Sequence, residues 1–179
     1  MATATTVPIL HTIALLVRNK PGVLVRVALI FSRRGYNIES LVVSPVFDAE
    51  IAGYESQVYE FSRMTITCSG DVAVLEQIVK QLEKLIDVIH AIDHGGLSVI
   101  ESELALVKVR VGLTDRTEVL QIAEHYNAKV VDYGPDSLIL QIQGESGKLD
   151  ACLSLLERHK IIELVRSGKI LMARGTAVT

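Results

Sequence analysis

The sequence predicts an α+β fold built from two tandem β-α-β-β-α-β units. Three observations carry that expectation. Short apolar, β-rich runs alternate with segments of helical period, the same order of elements occurs twice, and a glycine-rich break at His94-Gly95-Gly96-Leu97-Ser98 separates the copies. The break places one unit at residues 1–94 and the other at 95–179.

Residues 9 to 17, Ile-Leu-His-Thr-Ile-Ala-Leu-Leu-Val, form a strand-like run that stops at Arg18-Asn19-Lys20-Pro21-Gly22, where turn formers cluster. From Val23 to Arg34 the period is helical, with Leu24, Val27, Ala28 and Phe31 on one stripe. Arg33 and Arg34 suit the negative end of the helix dipole, and Gly35 suits a cap. A strand over Asn37 to Ser44 follows, then an irregular stretch from Pro45 to about Gln57 and a strand over Val58 to Cys68. Asp71 is a good N-cap for a helix carrying Leu75, Ile78, Val79 and Leu82, and Val88 to Asp93 closes the unit. This order is that of a ferredoxin-like sandwich, in which two helices cover one face of a four-stranded antiparallel sheet.

The second half repeats the pattern, with a strand over Leu104 to Gly112 and then Asp115 and Glu118 as a capping pair for a helix bearing Val119, Ile122, Ala123 and Tyr126. Strands over Lys129 to Tyr133 and Ser137 to Gln143 are joined through Pro135-Asp136. Ser146 opens a helix with Leu149, Cys152, Leu153 and Leu156, and Ile161 to Met172 is a closing strand with a bulge at Gly168. Packing against a sheet accounts for the apolar stripe of each helix without a ligand. The first helix differs, because Val23, Val25, Leu29 and Ile30 make it apolar on a second side. That side needs cover, so oligomerisation through the first unit is expected.

Composition excludes several functions. The chain has no Trp, 3 Phe and 5 Tyr, too few aromatic faces for stacking on nucleobases, and its net charge of -3 comes with interspersed acids and bases. Neither nucleic acid nor a membrane surface is an expected partner. No basic segment followed by an apolar run opens the chain, and no run reaches the ~20 apolar residues of a membrane span, so a cytoplasmic location is expected. Cys68 and Cys152 sit in apolar runs as reduced core thiols. The five histidines lack metal-ligand spacing, and Asp48, Glu50, Glu55 and Glu60 belong to a solvated connection rather than a calcium loop. No nucleophile elbow, phosphate loop or Rossmann glycine run occurs. No catalytic residue, metal ligand or cofactor site is expected in this chain.

The chemistry concentrates at Asn19-Lys20-Pro21-Gly22-Val23-Leu24, where a strand feeds a helix. Pro21 starts the turn at its preset φ, Gly22 permits close approach, and the N–H groups of Gly22, Val23 and Leu24 at a helix N-terminus suit a carboxylate. Val23, Leu24 and Ile38 can line a small aliphatic pocket, while the amides of Asn19 and Asn37 suit the polar ends of an amino acid. On residue types alone the segment also reads as an ordinary Pro-Gly helix start.

The stretch from Asn19 to Leu41, N-K-P-G-V-L-V-R-V-A-L-I-F-S-R-R-G-Y-N-I-E-S-L, resembles the ACT domain of acetolactate synthase regulatory subunits. The run R-G-Y-N-I-E-S-L is its most specific part, and S-R-M-T at Ser62 to Thr65, Q-L-E-K-L-I-D-V at Gln81 to Val88, S-G-K-L-D at Ser146 to Asp150 and R-S-G at Arg166 to Gly168 extend the likeness over nearly the whole chain. The connection from Ser44 to Glu60 departs from it by its length.

The resemblance implies that two such domains pair side by side and hold valine, or leucine or isoleucine, between the turn of one subunit and the following strand of its mate. The implied effector-binding residues are Asn19, Pro21, Gly22, Val23 and Leu24 on one side and Asn37 and Ile38 on the other. It also implies a partner, the catalytic large subunit of acetolactate synthase, which carries thiamine diphosphate and magnesium. A stand-alone amino-acid-binding module without such a partner is the alternative, and a small ferredoxin-like enzyme is a more remote one.

Overall fold

The computed structural model describes residues 9–46, 60–94 and 99–175. The chain divides into two compact units, with the division between Val99 and Ile100.

In the first unit the order is β1 (Ile9–Arg18), α1 (Val23–Arg33), β2 (Ser40–Pro45), β3 (Phe61–Gly70), α2 (Val72–Leu82) and β4 (Val88–Asp93). The strands form an antiparallel sheet in the order β2-β3-β1-β4. Alternation along β1 sends Ile13, Leu15 and Val17 into a core shared with Met64, Ile66 and Cys68 of β3 and with the inward stripes of both helices. α1 buries Val23, Val27, Ile30 and Phe31, and α2 buries Leu75, Ile78 and Leu82. Asp71 caps α2 as expected, accepting the Ala73 N–H at 2.8 Å. β3 runs two residues beyond its expected limit, to Gly70, because Ser69 and Gly70 pair with Leu10 and Ile9 of β1; glycine is needed there, since a Cβ at position 70 would stand 2.1 Å from Tyr36 Cε1.

The second unit repeats the topology, with β5 (Val99–Arg110), α3 (Arg116–His125), β6 (Lys129–Tyr133), β7 (Ser137–Gly144), α4 (Ser146–Leu156), β8 (Lys160–Arg166) and β9 (Ile170–Ala173). The order is β6-β7-β5-β8, with β9 also paired to β5. Its core gathers Ala105, Val107, Val109, Leu138, Leu140 and Ile142 against Val119, Ala123, Leu149, Cys152 and Leu156. The two copies share an irregularity. The ladder slips between Leu16 and Val17 where β1 meets β4, and between Lys108 and Val109 where β5 meets β8, which leaves Ile89 and Ile162 without a direct partner.

Three details differ from expectation. β2 begins at Ser40 rather than Asn37, since residues 37–39 meet the sheet through Glu39, whose N–H donates to the Thr67 carbonyl at 2.9 Å and whose carboxylate accepts the Ser69 hydroxyl, without a ladder of paired residues. β5 begins at Val99 rather than Leu104, because its first half pairs with β9. The closing segment carries no bulge at Gly168; residues 167–169 separate two strands, and Ser167 exchanges bonds with Leu104 through its N–H (2.9 Å) and its hydroxyl (3.0 Å).

The expected helix starts also change. Asp115 stands at the N-cap of α3 but makes no side-chain cap, and instead accepts the Thr114 hydroxyl at 3.2 Å. The Ser146 hydroxyl donates to Glu103 at 2.9 Å, and Glu145 occupies the N-cap of α4. Glu103 is only 6% exposed and meets Arg166 twice, Nε to Oε1 at 2.8 Å and Nη2 to Oε2 at 2.6 Å. Arg166 also reaches Asp150 at 2.6 Å, so the motifs at 146–150 and 166–168 converge on one buried carboxylate.

Both cysteines are buried and free. Burial pushes the Cys68 thiol up to about 11 and also raises Cys152. The native chain is expected to resist iodoacetamide at about pH 8, whereas the denatured chain takes up label at both positions, because the thiolate is the nucleophile. Mass spectrometry before and after denaturation checks this.

Candidate functional site

The expected turn is held in place from three sides. At the end of β1 the Arg18 N–H donates to the Asp87 carbonyl at 2.8 Å, the Asn19 N–H to the Glu60 carbonyl at 2.7 Å, and the Lys20 N–H back to the Arg18 carbonyl at 2.9 Å. Gly22 is the N-cap of α1 with φ 82 and ψ -6, a left-handed conformation that a residue with a Cβ enters at a cost of about 1 kcal/mol. The first turn of α1 contains no acidic residue and no side-chain cap. Of the three amides expected at this end, that of Val23 points to the Lys20 carbonyl at 3.4 Å. Among the described residues, no backbone carbonyl pairs the Gly22 or Leu24 amide. The helix therefore presents its positive end to incoming anions.

Sequence reasoning missed two residues here. Arg26 lies one turn beyond Gly22, close enough that a Cβ at position 22 would stand 3.5 Å from its Nη1. A cation near a helix start opposes the dipole, and the Arg26 guanidinium is offset by an ion pair with the largely buried Asp87. The anion position thus has a fixed cation beside it. The basic residue four beyond the glycine was the available signal; its acidic partner, 61 residues away, had none.

Asn19, Pro21, Gly22 and Leu24 are exposed around this turn. Val23 is not available to a ligand: it is 2% exposed, its side chain packs into the first core, and only its backbone remains at the site. This corrects its expected place in the pocket lining. A helix that starts at residue 23 and spends its first inward position on the core cannot also turn that side chain outward.

Asn37 and Ile38 are not brought to the turn. They line a shallow pocket of about 470 Å³ with Ala28, Phe31, Ser32, Gly35 and Tyr36, along and past the C-terminal half of α1. The eleven residues of α1 separate the turn from the segment that bears Asn37 and Ile38, about 16 Å at 1.5 Å per residue. No single amino acid spans them within one copy. Along the outer side of α1, Leu24 (40% exposed), Val25 (61%) and Leu29 (45%) form an apolar stripe.

Residues 13–90 match the AHAS small subunit-like ACT domain, and residues 102–175 match the C-terminal model described as small subunit of acetolactate synthase. The chain belongs to the acetolactate synthase small-subunit family. It is 43% identical over 170 residues to a probable acetolactate synthase small subunit of Methanothermobacter thermautotrophicus, covering 94% of this chain and 95% of that protein. An acetolactate synthase small subunit of Mycobacterium bovis is 42% identical over 168 residues, 94% of each chain. Among solved structures, the acetolactate synthase small subunit of Thermotoga maritima superposes with a TM-score of 0.77 at 34% identity, over 94% of this chain and 99% of that one. In this member of the small-subunit family the ACT match spans both the turn at Asn19 to Leu24 and the pair Asn37 and Ile38.

Among the described residues of this small-subunit homologue, no three His, Cys, Asp or Glu side chains are grouped to hold a metal ion. No helix among them is long and apolar enough to cross a membrane. Of the carboxylates in the long connection, Asp48, Glu50 and Glu55 lie outside the described residues.

Proposed function

We propose that this chain is the regulatory subunit of an acetolactate synthase, activating the catalytic subunit and making it sensitive to valine held between two paired ACT domains. The observation that carries the reading is the separation of the two half-sites to opposite ends of α1, with an exposed apolar stripe between them. A second copy laid along that stripe brings Asn37 and Ile38 of one subunit to the turn of the other. The helix end and Arg26 then face the effector carboxylate, the asparagine amides its polar ends, and Leu24 and Ile38 its side chain. The first unit is the effector-binding and dimerisation domain.

Effector binding acts by favouring one dimer arrangement over another, and typical coupling of ~1–3 kcal/mol gives about 5–150-fold effects. Thiamine diphosphate and magnesium stay with the catalytic partner. Co-expression with the large subunit of the same genome tests the proposal: the chain is expected to co-purify with it, raise its rate and confer inhibition by valine. Failure to associate or stimulate would leave only a stand-alone amino-acid-binding module.

Asn37→Ala is expected to weaken valine binding by about tenfold, the loss of one hydrogen bond to a charged group, while sedimentation still shows the dimer. A monomer in that experiment would make Asn37 a structural contact instead.

A further inference from the structure

The second unit holds a charged pocket at the place where the first unit has its turn. Arg110, Val111, Gly112, Asp136, Ser137 and Ile162 enclose about 530 Å³ at the adjoining ends of β5, β7 and β8. The backbone repeats in detail. The Val111 N–H donates to the Asp136 carbonyl at 3.0 Å just as the Asn19 N–H donates to Glu60, and Arg110 pairs with Ser137 as Arg18 pairs with Phe61. The two ladder slips make Ile162 the counterpart of Ile89. Both copies thus carry a cation on the last residue of the first strand, an acid before the third, and an isoleucine at the slip.

In the second copy this set is built and unspent. Among the described residues, neither Arg110 nor Asp136 has a side-chain partner, and Ile162 is 47% exposed. The hairpin bearing Asp136 is held rigid: the Gly134 N–H donates to the Ser137 carbonyl at 2.9 Å, and Arg116 donates to the carbonyls of Gly134 (2.9 Å) and Pro135 while lying 4.6 Å from the centre of the Tyr133 ring. A cation, an acid, a hydroxyl and an aliphatic surface around one small cavity complement a zwitterion with an apolar side chain.

We propose that this pocket is a second site for a small aliphatic α-amino acid, with Arg110 on its carboxylate, Asp136 on its ammonium and Ile162 against its side chain. It is independent of the turn in the first unit.

The test is methyl NMR of the full chain labelled at isoleucine, titrated in turn with L-valine, L-leucine, L-isoleucine and L-valinamide. At least one of the three amino acids is expected to shift the Ile162 methyl saturably, and valinamide, which lacks the carboxylate, is not. Arg110→Gln and Asp136→Asn are each expected to weaken that response at least about tenfold, with the buried Ile142 methyl unmoved as the sign of an intact fold. An Ile162 methyl silent to all three amino acids, or shifted equally in either variant or by valinamide, overturns the proposal. The Ile38 methyl reports the first site separately: its response with Ile162 silent sinks this inference alone, and the reverse sinks the effector reading alone.

Discussion

Arg166→Met is expected to lower the unfolding free energy by about 3–5 kcal/mol, the cost of leaving a buried carboxylate without its cation. Glu103 is held on β5 by two bonds from Arg166 and one from the Ser146 hydroxyl. Methionine fills the space of the Arg166 stem but restores neither guanidinium bond, so Glu103 keeps only the Ser146 hydroxyl and must be buried charged or take up a proton. Urea denaturation measures the loss; a change below about 1 kcal/mol would mean that water already reaches this carboxylate. Glu103→Leu with Arg166→Met is expected to recover much of the stability, since removing both charges removes the desolvation cost as well.

The same network sets a pH dependence. The bonds from Arg166 hold the Glu103 carboxyl below the usual glutamate range, against the opposing effect of burial. A carboxyl lowered in the folded state contributes stability that is complete above its unfolded value and is lost as pH falls through the lower folded value. Acid titration of stability is therefore expected to show this loss in the wild type and not in the double variant.

Gly22→Asp is expected to weaken valine binding by about a hundredfold, ~2.7 kcal/mol, because a carboxylate at the helix end takes the anion position and repels the ligand. Calorimetry with valine checks it, and Gly22→Ala is the control. Alanine pays the left-handed conformation at φ 82, about 1 kcal/mol, but its Cβ meets Arg26 only at 3.5 Å, an ordinary contact. Equal losses in the two variants would assign the effect to the backbone and remove the anion position from the turn.

Local signals made the alternation of elements legible. β4 and β6 begin and end at the expected residues, since both are short β-rich runs bounded by turns. The start of β5 was hidden by Glu101 and Glu103, acids that look like solvent-facing loop until Lys169 and Arg166, both far along the chain, neutralise them. Ser146 and Asp115 carry cap chemistry, yet a buried glutamate claims one and Thr114 occupies the other. At the candidate site, residue types located the turn, while the burial of Val23 and the Arg26–Asp87 pair depended on which way α1 rolls against the sheet. Nothing local encodes that roll.

The slip at Ile89 also makes β4 unequal in its tolerance of length. Sides alternate with period two along a strand, so removing one residue elsewhere in β4 would turn its inward side chains out. Deleting Ile89 would not: Val88 already lies opposite Val17 and Ala91 opposite Leu15, and both keep their sides. What it would lose is the extra twist that such a slip lends a strand end, here next to Asp87, the ion-pair partner of Arg26. Position 89 is a site where a one-residue deletion would spare the core and first disturb the charge balance at the start of α1.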